Sequence, residues 1–286
     1  MRNSESERTM TKTLLIISGG EKSVEIARGL REMGHAAVIS DSDPQAPAFS
    51  LADSCLIADV HGASETAAAA ERYNRKIRKI DGVLSAADAP LTAAMVTDRL
   101  KLPGPPAHVA ELIADRLLIR RCFASAGIAA PWHAEIFTPQ ELQRAAIARG
   151  RDLVVKPVEN RGPEGVTRLA AGGDLVAAFQ LARSQSAGER VLVEQELEGS
   201  RFPVAGLMVG GTCYLPAGTD AALSETCSRA ALALGLCDGP VACEIVVHQN
   251  VPNVVEISPR LDGAQFLAAA AKLALGETPS PEDLRR

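Results

Sequence analysis

Apolar and polar positions alternate along the first third of the chain with two different periods. Short apolar runs rich in β-branched residues predict strands at residues 13 to 18, 36 to 40, 54 to 60 and 82 to 85. Between these runs, apolar side chains recur every three to four positions and predict amphipathic helices at residues 21 to 34, 63 to 80 and 90 to 100. This alternation of strand and helix indicates a parallel sheet with helices on its faces, as in a Rossmann-like domain.

The pattern changes after a proline-rich stretch, PGPP at residues 103 to 106, which predicts a domain boundary. A helix is predicted from Asp115 to Ala126. Beyond it, strands are predicted at residues 132 to 137, 152 to 157, 165 to 170, 190 to 195, 201 to 209, 241 to 248 and 254 to 258, and helices at residues 139 to 150, 173 to 188, 220 to 235 and 263 to 276. Because these strands mix hairpins with helical crossovers, the pattern favours an α+β region.

Two glutamates are predicted to face each other in the last hairpin. With the turn centred on Asn250, Glu244 lies directly opposite Glu256, and the two side chains share a face of the sheet. At about 5 Å and an effective dielectric constant of about 20, two carboxylates repel by roughly 3 kcal/mol, so the pair favours a cation between them or one protonated partner. Mg²⁺ fits best, because it takes one or two protein carboxylates and completes its shell with water and phosphate.

A hydroxyl and a guanidinium follow these carboxylates closely. Ser258 lies on the same side as Glu256, and Arg260 comes two residues later, after Pro259. This arrangement is typical of a phosphate site. The alternative is two solvated glutamates on an exposed sheet face beside a surface arginine.

A second set of candidate residues lies at two other strand ends. Lys156 ends a predicted strand and precedes the loop at residues 159 to 165, where a lysine and backbone N–H groups could bind phosphate; a β-turn with a surface lysine explains this pattern equally well. The acidic segment at residues 194 to 197 follows another strand and could present backbone groups to a nucleotide base, or could be an exposed strand end.

Composition excludes several classes of protein. The 286 residues carry a net charge of −5 and only 3% aromatic residues, so the chain has neither the basic surface nor the stacking platforms that bind nucleic acid. The apolar run Leu14 to Ile17 is too short for a signal peptide or a membrane span, and we expect a cytoplasmic protein with a disordered tail at residues 1 to 11. The six cysteines show no metal-binding spacing, and we interpret them as small buried apolar residues.

Six segments, in this order and spacing, resemble the ATP-grasp superfamily, in its biotin-carboxylase-like and carboxylate-amine-ligase-like branch. They are LADSCLIADV at 51 to 60, IDGVLS at 80 to 85, ADRLLIRRCFASAGIAAP at 114 to 131, LVVKPVENRGPEGV at 153 to 166, VLVEQELEG at 191 to 199, and CEIVV with VVEISPRLDG between 243 and 263. The resemblance implies an α/β and α+β fold: a Rossmann-like N-terminal domain at residues 12 to 104, a small lid subdomain with a linker helix at 105 to 200, and a C-terminal catalytic subdomain at 201 to 286.

The resemblance also implies roles for individual residues. Lys156 and Arg260 correspond to catalytic residues that act on the phosphates, and Glu244, Glu256 and Ser258 to the metal ligands. The residues expected to bind the nucleotide are Arg116, Lys156, Asn160, Gly162, Gly165, Glu194, Gln195, Glu196 and Leu197. The implied cofactors are ATP and Mg²⁺, with Mn²⁺ as an alternative ion.

The implied reaction is an ATP-dependent ligation of a small-molecule carboxylate with an amine or another nucleophile through an acyl phosphate. A homodimer is a further expectation from the resemblance. No nucleic acid or membrane is expected as a partner.

The chain departs from the family at several of these positions. Arg116 replaces a lysine, Ser258 an asparagine and Arg201 an acidic residue, and the segment between Gly210 and Asp220 is shorter than in most relatives. These departures support a second hypothesis, a degenerate member that binds nucleotide without turnover.

A third hypothesis is a nicotinamide-dependent oxidoreductase. It rests on Ser18, Gly19 and Gly20 after the first strand and on Asp41 at the end of the second, but the GxGxxG fingerprint is incomplete.

Overall fold

The computed structural model describes residues 11 to 150, 152 to 159, 164 to 169, 173 to 262 and 265 to 284. The predicted tail is outside this part of the chain except for Thr11. The described residues form three four-stranded sheets and the helices that pack on them.

The first sheet is parallel, as the alternation of strand and helix predicts. Its strands β1 (Thr13–Ile17), β2 (Ala36–Asp41), β3 (Ser54–Ile57) and β4 (Gly82–Ser85) lie in the order β3-β2-β1-β4. The connecting helices are α1 (Glu21–Glu32), α2 (Ala63–Lys76) and α3 (Pro90–Leu100), and a short 3-10 helix covers Pro47–Leu51. β1 is buried along its whole length because helices cover both faces of the sheet.

The second sheet is antiparallel. It contains β5 (His133–Ile136), β6 (Leu153–Pro157), β7 (Thr167–Leu169) and β8 (Val191–Gln195) in the order β5-β8-β6-β7. The helices α6 (Pro139–Arg149) and α7 (Leu175–Ser184) pack on it through a core that includes Leu142 and Phe179.

The third sheet is also antiparallel and carries the predicted pair of glutamates. Its strands β9 (Ser200–Val209), β10 (Thr212–Tyr214), β11 (Gly239–His248) and β12 (Val251–Ser258) lie in the order β10-β9-β11-β12. The helices α4 (Ala107–Ala114), α5 (Arg116–Ser125) and α8 (Ala221–Ala233) pack on it. Ile113, Phe123 and Cys227 share its core with Ile245.

The last helix, α9 (Leu267–Ala274), packs on the first sheet and not only on the third. Leu267 and Ala270 belong to the same core as Leu14 and Ile16 of β1. The end of the described chain therefore helps to close one face of the N-terminal sheet. The division into domains at residues 104 and 200 stays a prediction.

Besides the short 3-10 helix, the sequence pattern did not predict α4 and β10. α4 begins directly after its N-cap, Pro106, where the prolines predicted only a break; a proline there removes no hydrogen bond of the helix, because the N–H groups at a helix start have no partner within it. β10 follows β9 through the two-residue turn Gly210 and Gly211, both with positive φ. Such a Gly-Gly turn between β-prone residues is a hairpin signal that the sequence did contain.

The interpretation of the cysteines as buried residues was wrong for Cys55 and Cys237, which are exposed. Cys227 and Cys243 are buried, with their Sγ atoms 3.3 Å apart. Cys122 and Cys213 are half-buried.

None of the helices in the described part of the chain combines the length and the apolar character needed to span a bilayer.

Candidate functional site

Glu244 and Glu256 lie directly opposite each other in the β11–β12 pair, as the sequence predicts. The predicted symmetric turn around Asn250 is wrong, however. The turn is formed by two residues only, Gln249 and Asn250, both with positive φ, and His248 pairs with Val251.

A β-bulge restores the opposition of the carboxylates. Ile245 pairs with Val254 but Glu244 pairs with Glu256, so Val255 is the additional residue. Without the bulge Glu244 would face Val255, and Glu256 would point to the other face of the sheet. The bulge is therefore what places both carboxylates on one side.

Each of these carboxylates faces an arginine. Nη1 of Arg201 lies 2.6 Å from Oε1 of Glu244, and Nη2 of Arg116 lies 3.9 Å from Oε1 of Glu256. The first pair is a hydrogen-bonded ion pair, whereas the second is only a long-range attraction. These arginines offset part of the repulsion between the two carboxylates, which the sequence analysis expected a bound cation or a protonated partner to offset.

Lys156 belongs to a buried cluster of charges. Its Nζ lies 2.7 Å from Oε2 of Glu194, and Nε of Arg120 lies 2.6 Å from Oε1 of the same carboxylate. Burial by itself would raise the pKa of Glu194, but the charges of Arg120 and Lys156 and their hydrogen bonds lower it to about 2. The Glu194 side chain is therefore ionised and fixes the lysine at the end of β6.

Arg120 also connects this cluster to the bulge. Its guanidinium donates hydrogen bonds to the backbone oxygens of Val254 (3.1 Å) and Val255 (2.5 Å). One side chain of α5 thus joins the end of β8 to the irregular part of β12. The sequence analysis missed Arg120, because a charge in a helix gives no sign that it is buried.

Arg116 starts α5 directly after its N-cap, Asp115, whose carboxylate accepts a hydrogen bond from the N–H of Leu118. The Arg116 side chain is buried, and its Nη1 donates to the backbone oxygen of Pro157 at 2.8 Å. Its guanidinium therefore lies between the end of β6 and Glu256.

The loop after Lys156 is described only at its two ends. Asn160 and Gly162 lie outside the described residues, so their predicted contact with phosphate stays a prediction. At the near end, Glu159 accepts hydrogen bonds from Ser186 and Arg190. At the far end, Gly165 has a positive φ, and a Cβ atom there would lie 2.8 Å from both Pro157 and Gln185. Only glycine fits this close approach.

The segment at residues 194 to 197 lines a small cavity, as expected for a segment that would read a base. Its first amides are engaged: the N–H of Gln195 donates to Trp132 and that of Glu196 to Asp152. In the described part of the chain, the Leu197 amide and the Glu196 carbonyl show no backbone partner. These two groups are the candidates for a base edge.

Ser258 and Arg260 lie beyond Glu256 and face charged partners that the sequence analysis did not include. Ser258 is buried and donates a hydrogen bond of 2.8 Å to Asp88, which follows β4 of the first sheet. Nε of Arg260 donates to Asp262 at 2.9 Å, and Lys22 forms an ion pair with the same carboxylate. Burial alone would raise the pKa of Asp262, but these hydrogen bonds and charges lower it.

Two cavities meet at the pair of glutamates. The smaller, about 60 Å³, is lined by Lys156, residues 194 to 197, Arg168 and four valine and proline side chains. The larger, about 460 Å³, is lined by Asp88, Ser258, Arg260 and Asp262. Arg201, Glu244 and Glu256 line both cavities, so they form the wall between them.

The residues present fit a magnesium ion that is shared with a nucleotide. The described residues contain no group of three His, Cys, Asp or Glu side chains arranged around a metal. Two opposed carboxylates are nevertheless enough for Mg²⁺, because phosphate and water supply its other ligands. Ser258 adds a hydroxyl oxygen on the same side.

The loop after β1 is held in a way that does not suit a dinucleotide. Oδ2 of Asp41 accepts a hydrogen bond of 2.7 Å from the N–H of Gly19. The carboxylate that would bind a ribose is thus turned back onto the loop that would cradle the phosphates. The missing glycine pattern and this contact weaken the oxidoreductase hypothesis.

No protein-family model matches the chain. The uncharacterized protein y4rH of Sinorhizobium fredii is 28% identical over an alignment of 316 positions, which covers 94% of this chain and 64% of that protein. A formate-dependent phosphoribosylglycinamide formyltransferase of Prochlorococcus marinus is 30% identical over 195 residues, which cover 66% of this chain and 48% of that protein. The chain therefore spans less than two thirds of the length of these curated relatives.

The structure is similar to solved ligase structures. The L-amino acid ligase of Bacillus licheniformis superimposes with a TM-score of 0.75 at 20% identity, over 95% of this chain and 76% of that one. The predicted α/β and α+β fold class is confirmed. The chain therefore has the fold of these ligases, and the order of its sequence motifs resembles that of the ATP-grasp superfamily.

Proposed function

We propose that the chain is an ATP- and Mg²⁺-dependent ligase that joins a small-molecule carboxylate to an amine or another nucleophile. The observation that carries this proposal is the position of Glu244 and Glu256 in the wall between two cavities. An ion held there would lie between a nucleotide in one cavity and a substrate in the other.

The smaller cavity supplies the groups for a nucleotide. Its apolar wall, which includes Val154, Val166 and Val255, suits a flat base, and Lys156 and Arg116 lie where the phosphates would follow. At about 60 Å³ the cavity is far below the size of usual ligand sites, and the side chains of Arg168, Glu196 and Arg201 meet across it. Nucleotide binding therefore requires these ion pairs to open.

The larger cavity supplies the groups for the carboxylate substrate. Arg260 can bind its charge and hold one oxygen in line with the γ-phosphorus. As that oxygen attacks, the bond from the γ-phosphorus to the bridging oxygen breaks, ADP leaves and an acyl phosphate remains. The amine then attacks the acyl carbon, loses a proton and displaces inorganic phosphate.

The protein contributes charge and position to these steps rather than a nucleophile. Lys156, Arg116 and Arg260 neutralise charge that moves onto the phosphate oxygens, and the cavity walls keep both reactants near the glutamates. A magnesium ion, when bound, screens the negative charge of the phosphates against the attacking carboxylate. Mn²⁺ is expected to replace it because it accepts the same oxygen ligands.

Calorimetry with a non-hydrolysable ATP analogue tests the first half of this proposal. We expect magnesium-dependent binding that Glu256→Gln weakens at least tenfold, because the substitution removes one of the two carboxylates. Glu65→Gln, on the exposed face of α2, is the matched control and should leave binding unchanged. Binding without any dependence on magnesium or Glu256 would contradict the metal site.

Release of ADP with a panel of carboxylates and amines tests the second half. Turnover that requires both reactants supports the ligase. Magnesium-dependent nucleotide binding with no turnover on a broad panel would instead support a degenerate, nucleotide-binding member. A homodimer is a separate expectation that light scattering can check.

A further inference from the structure

Arg201 occupies the centre of the candidate site without a role in the reaction described above. It is the second residue of β9 and pairs with Val246 of β11. Its side chain lines both cavities. It therefore lies beside the carboxylates that would hold the metal.

The guanidinium of Arg201 bridges two carboxylates, one in β11 and one directly after β8. Nη1 donates to Oε1 of Glu244 at 2.6 Å, and Nη2 donates to Oε1 of Glu196. Nε of Arg168 lies 3.4 Å from the same oxygen of Glu196, and Arg168 forms no ion pair with Glu244 in the described structure. Arg201 is thus the arginine that connects the base-facing segment to the metal-binding glutamate.

A guanidinium in this position limits how many cations the site can hold. Arginine stays protonated at every accessible pH, so its charge cannot be removed by titration. Phosphoryl-transfer sites often hold two divalent ions, which bridge the phosphate oxygens. A second ion on the Arg201 side of Glu244 would lie against a fixed positive charge and would have to compete for Oε1.

We propose that Arg201 takes the place of a second divalent ion, so that the nucleotide complex holds a single one. This inference rests on the proposed function. The single ion is held by Glu256 and the other oxygen of Glu244, while Arg201 stays on Oε1 and provides the second positive centre. Arg201 is thereby a positioning residue, because it acts through Glu244 and sets the metal stoichiometry.

Counting Mn²⁺ ions tests this role without an activity assay. The full chain is saturated with the β,γ-imido analogue of ATP and titrated with Mn²⁺, and free Mn²⁺ is measured by electron paramagnetic resonance. We expect one bound Mn²⁺ per nucleotide complex in the parent protein and two in Arg201→Ala. The side chain of Arg201 is 34% exposed, so its truncation should not prevent folding, which a thermal melt verifies.

Two further variants separate charge from position. Arg201→Lys keeps a positive charge at Glu244 and should keep one Mn²⁺. Arg168→Ala removes a charge from the same cavity without touching Glu244 and should also keep one.

Two Mn²⁺ ions in the parent, or only one in Arg201→Ala, would overturn the role of Arg201 while leaving the proposed function intact. A parent protein that binds no nucleotide would overturn both.

Discussion

Individual charged residues of the candidate site are held by partners that come from other strands and helices. Glu194 of β8 lies between Lys156 of β6 and Arg120 of α5. All three are almost fully buried, and a buried ion pair that loses one partner costs several kcal/mol because the remaining charge stays uncompensated. At this scale, Lys156 serves both the fold and the proposed chemistry, because the cluster that stabilises the fold also holds its ammonium group in place.

The pKa of Glu194 predicts a specific dependence of stability on pH. Its pKa falls from 4.5 to about 2 on folding, so the carboxylate stabilises the folded state above pH 4.5 and this contribution is lost as the pH falls towards 2. A shift of this size corresponds to about 3 kcal/mol at most. We expect Glu194→Gln to be less stable than the parent at pH 7 and to lose less stability between pH 5 and pH 2, as measured by urea unfolding. Equal slopes for the two proteins would contradict the assignment.

We expect removal of the Arg260 guanidinium to reduce turnover rather than nucleotide binding. Arg260→Ala should lower kcat by about two to three orders of magnitude, as the loss of a charge-stabilising donor does elsewhere. Nucleotide affinity should change much less, because Arg260 lines only the larger cavity. Arg28→Ala, exposed on α1, is the control. An Arg260→Ala variant as active as the parent would show that catalysis depends on another residue.

At the scale of elements, the β11–β12 hairpin decides the geometry of the proposed metal site. Its two-residue turn and its bulge at Val255 together bring Glu244 opposite Glu256, although either feature alone would misplace one carboxylate. The bulge is in turn held by the hydrogen bonds from Arg120. A short irregularity in one strand thus decides whether two distant residues can share an ion.

The turn of this hairpin can be improved without a change in register. Gln249 and Asn250 both have positive φ, a conformation for which an asparagine followed by a glycine is the favoured pair in a two-residue turn. The double substitution Gln249→Asn with Asn250→Gly introduces that pair and should stabilise the protein by about 1 kcal/mol. Asn250→Ala, which adds strain at the same position, should destabilise it. Thermal unfolding measures both, and a stabilising Asn250→Ala would contradict the turn geometry.

At the scale of the whole molecule, the last helix of the described chain packs against the N-terminal sheet. α9 follows β12 but packs into the core of the N-terminal sheet. Asp88, in the loop after β4, accepts a hydrogen bond from Ser258 at the end of β12. The loop after β4 and the third sheet therefore line the larger cavity together.

A substitution at Gly82 tests the packing of α9 against β4. A Cβ atom at Gly82 would lie 2.4 Å from the backbone oxygen of Ala274 in α9, and backbone cannot move aside as a side chain can. We expect Gly82→Ala to lower the free energy of unfolding by about 1 to 3 kcal/mol, in urea titrations. Gly20→Ala is the matched control, because its Cβ would make only an ordinary contact, 3.6 Å from Ser18. A neutral Gly82→Ala would show that α9 does not dock against β4.

The sequence alone determined most of the helices and strands and the order of the functional motifs along the chain. Apolar periodicity is a local property, so the helices at Pro90–Leu100 and Pro139–Arg149 and the parallel sheet could be predicted closely. The opposition of Glu244 and Glu256 was also predicted, although from a symmetric turn that the structure replaces with a tighter turn and a bulge.

Only the tertiary structure decided which charges meet. Arg120, Arg201, Asp88 and Asp262 are ordinary polar residues in the sequence, and nothing within a few positions of each one distinguishes a buried ion pair from a solvated side chain. Their partners lie between 2 and 240 positions away, and most of them are brought close by the packing of the sheets and helices. Burial makes such pairings important for stability, because a charge that is removed from water needs a counter-charge beside it. The fold, rather than the neighbouring sequence, supplies most of these counter-charges.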